Sequence, residues 1–246
     1  MWFEKKTIFA AQFWIFRKMT QKKTVQEDNL QELESALTKT ERFVESNGKI
    51  ISIIIGAIVV VVAGVLAFNK FYIQPKEDEA LAQMFMAENY FEKDSFNLAI
   101  NGDGNYLGFL DIIDDYGITK SANRAKYYAG ISYLHLGQYE EAIDYLKKFK
   151  TDDLLLLPVK EGAIGDAMLE LGKKEDALSQ YKRAYSATEN ELTTPAYKMK
   201  AAAILESMNQ YADALKLYEE IKKEYPQTAE GSTVDKYIAR VKVQMN

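Results

Sequence analysis

The residues of this chain that could carry out chemistry are few. Its 246 residues include no cysteine and a single histidine, His135. Thiol catalysis, disulfide scaffolds, thiolate zinc sites and iron–sulfur clusters are therefore excluded, and a catalytic triad or an imidazole metal site has one ring to draw on. Carboxylate pairs, the residue type that acid–base chemistry needs, stand at Asp114-Asp115, Glu140-Glu141, Asp152-Asp153 and Glu219-Glu220. Each falls at a polar helix position or in a loop, where solvated surface is the expected role. The chain has no phosphate-cradling glycine loop, nucleophile elbow or zinc-type His-Glu spacing. In Asn101-Gly-Asp-Gly-Asn-Tyr106, Asn101, Asp103 and Asn105 alternate like the start of a calcium loop, but Tyr106 and Ile112 stand where such a loop requires glycine and glutamate. The segment is read as a structural loop. No catalytic residue, metal site or cofactor is expected, and the protein is read as non-enzymatic.

Composition agrees. Apolar residues make up 48% and charged ones 27%, which suits a folded protein rather than a disordered one. With 31 Lys plus Arg against 36 Asp plus Glu, the net charge of −5 argues against a nucleic-acid surface, which needs clustered cations. Only 4 prolines and 13 glycines leave long uninterrupted stretches, so an all-α architecture is predicted.

The elements that must position any functional side chain come from a repeat. Ala99, Ala142, Ala177 and Ala214 each precede an apolar and aromatic face, and they lie 43, 35 and 37 residues apart. Around them recur Ala129-Gly130, Tyr133, Gly137, Tyr139 and Leu146, then Ile164-Gly165, Met168, Gly172 and Tyr181, then Ala201-Ala202, Leu205, Tyr211, Tyr218 and Pro226. A less regular unit precedes them at Met86-Ala87, Tyr90 and Phe96. This period resembles the tetratricopeptide repeat, two antiparallel helices per unit stacked into a superhelix. The small residues let the helices of a unit approach, and the large ones fill the space to the next. Pro158 and Pro195 are expected to open helices, with Thr194 as a cap for the latter, and Thr228–Met245 to form a capping helix through Val234, Ile238, Val241 and Met245. Departures are the absence of the opening tryptophan, Leu154 and Glu189 in place of proline, and the interruption at 101–106. Carrying the groove positions of such repeats onto this chain gives Arg124, Tyr127, Ile131, His135, Asp166 and Met199 as the candidate peptide- or protein-binding residues. The Lys/Asn clamp for a C-terminal carboxylate is missing at the matching places.

Ahead of the repeats, Ile50 to Phe68 is a run of 19 residues without a charge, 13 of them Ile, Leu, Val or Phe. At about 1.5 Å per residue it spans roughly 29 Å, close to the hydrocarbon thickness of a bilayer. It is read as a transmembrane helix in contact with lipid, with Ser52, Gly56, Ala63 and Ala67 spaced 4, 7 and 4 apart as a small-residue face for another helix. Residues 69–79 are read as a juxtamembrane linker, with Pro75 as a helix stop, and 80–246 as the repeat domain. The first 49 residues, with nine Lys or Arg, form a cytoplasmic arm by the positive-inside bias, which puts the repeats across the membrane. A short amphipathic helix is expected through Leu30, Leu33, Leu37 and Val44. The aromatic stretch 1–18 has two readings, a membrane-surface segment or an upstream mis-start before Met19.

Arm, single span and four-unit repeat domain together resemble the YfgM family, ancillary subunits of the bacterial Sec translocon. The resemblance covers roughly residues 20–246, and the stretch from Ala99-Ile-Asn-Gly-Asp-Gly-Asn to Tyr127-Tyr-Ala-Gly-Ile-Ser-Tyr is similar to forms of the Bacteroidetes. It implies an inner-membrane protein with a periplasmic repeat domain, partnered by the Sec translocon channel, a PpiD-like periplasmic chaperone and secretory polypeptides. The alternative for the same layout is a scaffold of envelope assembly or division.

Overall fold

In the computed structural model, residues 43 and 45–245 are described; Leu30, Leu33, Leu37 and Val44, through which the amphipathic helix is expected, lie outside the described residues. The described residues are helical, with no strand among them, and the chain divides into two units at Phe68 and Asn69. In the first unit, helix α1 (45–68) leaves its Val and, apart from the half-buried Ile51, its Ile side chains exposed. It belongs to a helical run, Glu45–Glu92, that is long and apolar enough to cross a membrane.

The expected proline stop is corrected by the structure: Asn69–Ile73 is π-helical and passes directly into α2 (Gln74–Glu92), with Pro75 in the first turn. Proline lacks an N–H and its ring crowds the carbonyl four residues back. A wider turn just before Pro75 absorbs both defects.

The second unit is a series of helix pairs. The A helices are α2, α5 (Lys120–His135), α7 (Leu156–Glu170) and α9 (Thr194–Ser207). Their B partners are the broken pair α3 (Phe96–Asn101) and α4 (Phe109–Asp115), then α6 (Tyr139–Lys148), α8 (Lys174–Ala187) and α10 (Tyr211–Glu224). The end is closed by α11 (Ala229–Thr233) and α12 (Asp235–Gln244), the latter packed on α10. Val234, Ile238 and Val241 face inward as expected, whereas Met245 is exposed.

Each A helix ends in the same way. Asp94, Gly137, Gly172 and Asn209 have φ of 55°, 75°, 74° and 59°, and they are separated by 43, 35 and 37 residues, the spacing of the alanines. The amide of the following residue reaches back over the turn: Ser95 to Tyr90 O, Gln138 to Tyr133 O, Lys173 to Met168 O and Gln210 to Leu205 O, at 2.9, 2.9, 2.9 and 2.8 Å. This bond satisfies a carbonyl that the helix end leaves open, and it requires a left-handed residue before it. Glycine meets that requirement without strain in two units; Asp94 and Asn209 meet it in the others at a steric cost.

Close approach of A and B explains the small residues. A Cβ on Gly130 would lie 2.6 Å from Leu146 Cγ, and one on Gly165 2.7 Å from Tyr181 Cε1. Leu146 and Tyr181 are fully buried, and Ala202 and Tyr218 join the corresponding cluster of the last unit. Burying a side chain of this size contributes roughly 1.5–3 kcal/mol, so the fit supplies a large part of each unit's cohesion. In the first unit the B helix is broken by a loop organised on Asp103. Its Oδ1 accepts the amides of Asn105 and Tyr106 at 2.9 and 2.8 Å, and its Oδ2 accepts the Tyr90 hydroxyl at 2.8 Å. These bonds, the Tyr106 amide first, hold the carboxyl below the usual range.

The strained turn gives a direct test. Replacing Asn209 with glycine removes the left-handed penalty and should raise unfolding stability by about 0.5–1 kcal/mol, whereas Asn209→Val should lower it by about 1–2 kcal/mol. Denaturant titration of the full-length chain in mild detergent reads both; equal midpoints for the two variants would contradict the turn assignment.

Candidate peptide-binding site

Stacked pairs place A helices side by side, so side chains from successive A helices meet. Within the A row, Gly162 on α7 sits where the 35-residue spacing from Tyr127 falls. Its missing side chain leaves a hollow, and the Tyr197 ring of α9 fills it: a Cβ on Gly162 would lie 2.0 Å from Tyr197 Cε1. Tyr197 stacks at 6.2 Å and 18° on Tyr181. Burial first, then the Asp166 carboxylate and then the Tyr127 phenol push the Tyr197 hydroxyl up to about 12.

Asp166 on α7 is the polar centre of this cluster. It accepts the Tyr181 hydroxyl at 2.6 Å and the Lys200 ammonium at 2.6 and 2.8 Å. The same ammonium lies 5.6 Å from the Tyr181 ring centroid and 5.7 Å from that of Tyr197. One carboxylate thus joins α7, α8 and α9, and one cation spans two aromatic faces. A parallel arrangement ends the stack. There Glu206 on α9 takes the Tyr218 hydroxyl at 2.6 Å and Arg240 of α12 through two bonds of 2.9 and 2.7 Å. Burial is the main reason that the Tyr181 and Tyr218 phenols titrate well above the ordinary tyrosine range, with their carboxylates next.

The six residues carried over from the repeat pattern occupy several places. Tyr127 and Ile131 are partly buried against Leu146, Ala163 and Ile164. Asp166 is in the cluster just described. Met199 is partly buried against the C-terminal core. Arg124 is exposed and donates to Ser121 Oγ at 3.2 Å. His135, also exposed, stacks on Phe96 of α3 at 4.5 Å and 2°, away from the Asp166 cluster. Thr194, expected as a cap, lies inside α9; its hydroxyl donates to Thr188 O at 3.0 Å and accepts the Asn190 amide at 3.0 Å. Thr193 takes the cap position because Asn190 tightens the preceding loop, accepting the amides of Leu192 and Thr193.

Tyr197 and Lys200 complete the cluster and do not appear among the carried-over positions. The signal for them was a departure: glycine at 162, where neighbouring units carry Tyr127 and Met199, announces a hollow that another residue must occupy.

Against known proteins, the sequence profile of the tetratricopeptide repeat matches residues 124–153 and 196–228. The crystal structure of nearly identical TPR-like repeats of a Podospora anserina protein described as a kinesin light chain superposes with a TM-score of 0.53. It is 13% identical, and the match covers 69% of this chain and 87% of that one. No curated protein matches. The architecture is therefore an all-α tetratricopeptide-repeat solenoid behind a long apolar helix, and such repeats imply a scaffold for protein–protein interaction.

An unfolded tyrosine ionises near pH 10, whereas Tyr197 and the more deeply buried phenols ionise above that in the fold. The unfolded state therefore binds fewer protons than the folded one once pH exceeds 10, and stability is full below pH 10 and falls as pH rises from there towards 12. The slope is at most about 1.4 kcal/mol per pH unit for each phenol. Tyr197→Phe should make this alkaline decline shallower in denaturant titrations at stepped pH; an unchanged slope would contradict the burial of that hydroxyl.

Proposed function

We propose that the chain is a non-enzymatic, membrane-anchored adaptor that holds extended polypeptide along its A helices. The observation that carries this reading is the joining of Tyr181, Tyr197 and the Asp166–Lys200 pair across α7, α8 and α9, with Tyr197 seated in the hollow at Gly162 and Tyr127 partly buried against the neighbouring core of the preceding repeat. Aromatic rings offer area to apolar side chains of many sequences. The cation and carboxylate neutralise each other, so the cluster favours no strongly charged ligand. An adaptor for emerging or unfolded chains needs that tolerance.

The resemblance in layout supports a finer assignment: an inner-membrane protein with its repeats in the periplasm, acting beside the Sec translocon channel with a PpiD-like chaperone and secretory polypeptides as partners. The apolar helix serves as the anchor, and its exposed Ser52, Gly56, Ala63 and Ala67 are proposed as the face that meets a helix of the channel.

Two measurements test these levels separately. Tyr127→Ala and Tyr197→Ala should each weaken binding of an unfolded secretory polypeptide by about 5- to 30-fold, the effect of losing an aromatic anchor worth about 1–2 kcal/mol. Wild-type affinity in both would remove this face as the binding site. In mild detergent the Sec channel should copurify with the wild-type chain and be lost when residues 50–68 are exchanged for an unrelated apolar helix. For topology, Ser232→Cys should react with an impermeant maleimide from the periplasmic side and Ser35→Cys should not; the opposite pattern would reverse the orientation.

A further inference from the structure

The two edges of the repeat domain differ in chemistry. At one edge each A helix turns into its B helix through the left-handed residues, and the turns there expose Lys93, Gln138, Lys173 and Gln210, with Leu98 and Leu169 exposed less fully beside them, at 41% and 37%. At the other edge the pairs are joined by 116–119, 149–155 and 188–193. That edge displays Ile118 at 55% exposure, Leu154 at 67%, Leu155 at 49% and Leu192 at 70%. Hydrogen bonds show that the helix starts share it: Ser121 at the start of α5 donates its amide and hydroxyl to Glu77 in the first turn of α2, and Asn123 exchanges two bonds with the backbone of Lys150 in the next joining loop.

The leucines are presented by one device used twice. Asp153 Oδ1 accepts the amides of Leu155 and Leu156 at 2.8 and 2.9 Å, and Asn190 Oδ1 accepts those of Leu192 and Thr193 at 2.9 and 2.7 Å. Amides already bonded can leave water at little cost. Each loop tip therefore offers an apolar side chain on backbone prepared for a less aqueous environment.

What covers this edge is indicated by where the chain enters the domain. The apolar run 50–68 passes into Asn69 and then into α2, whose start lies at this edge, with Phe71 at 78% and Tyr72 at 47% exposure at the entry and Lys76 Nζ 5.4 Å from the Tyr72 ring. Aromatic rings and a cation flanking an apolar run mark the headgroup level of a bilayer. We propose that the joining-loop edge docks on the lipid interface through Ile118, Leu154, Leu155 and Leu192, seating the repeat domain against the membrane that anchors it. This rests on the anchored reading above. Lys120 and Lys150 are outnumbered at the same edge by Asp152, Asp153, Glu189 and Glu191, so the contact rests on the apolar side chains and calls for no anionic lipid.

The natural absence of cysteine makes the test clean. Full-length protein carrying Leu155→Cys, Leu192→Cys or, at the opposite edge, Gln210→Cys is labelled with a polarity-sensitive fluorophore and reconstituted into phosphatidylcholine vesicles, with flotation scored in parallel. Labels at 155 and 192 should shift to the blue and be quenched by spin-labelled lipid about twofold or more over the label at 210, as expected for side chains buried in the interfacial layer. Flotation with 155 and 192 as unquenched as 210 would overturn docking and leave the anchor standing. A blue shift without lipid quenching would assign the edge to a protein contact, such as a second copy, and overturn it as well. Failure to float would overturn both readings.

Discussion

Gly130 lies against Leu146, and Gly165 against Tyr181, so closely that a side chain at either glycine would occupy space the partner residue already fills. That approach sets the distance between the helices of a unit, and the distance decides which surfaces remain for the next unit to cover. A helix pair cannot bury its apolar face alone; stacked pairs cover one another, and α12 packs on α10 of the last. Tyr181 shows how the same contact reaches the surface of the A helices. Its ring packs on Gly165, and its hydroxyl holds Asp166, which in turn fixes Lys200 beside Tyr197.

Much of the fold was legible because its determinants are local and periodic. The spacing of Ala99, Ala142, Ala177 and Ala214 recurs in the left-handed residues that end the A helices, since both follow from one hairpin of nearly fixed length. Pro158 and Pro195 fall in first turns, where a missing amide costs nothing. Pro75 signals a stop on its own, since proline alone says nothing of a π-helical turn placed to receive it. Thr194 was read as a cap, but the cap depends on Asn190, whose side chain draws in Leu192 and Thr193. Of the Asp166 cluster, Asp166 follows from repeat position, while Tyr197 enters through a hollow that a position-by-position transfer passes over. His135 stacks on Phe96 because the first unit's broken B helix starts beside the end of α5, a juxtaposition that no spacing encodes.

The domain's polar groups serve its architecture. Several carboxylates are engaged in joining helices or closing turns: Asp166 and Glu206 link tyrosines to cations, and Asp103 and Asp153 gather backbone amides. Buried tyrosines whose hydroxyls are bonded to such carboxylates are pushed up in pKa by that burial, and they act as struts with a polar end.

Hydrogen exchange, resolved along the full-length chain in detergent and compared between the wild type and Gly165→Ala, tests the account most directly. If cohesion is carried unit by unit through the glycine fit, protection falls in α7 and α8 and in their neighbours α6 and α9, while the amides of α2 to α4 exchange as before. Equal loss of protection from α2 to α12 would contradict it, since a methyl group beside Tyr181 would then be felt by a single indivisible core.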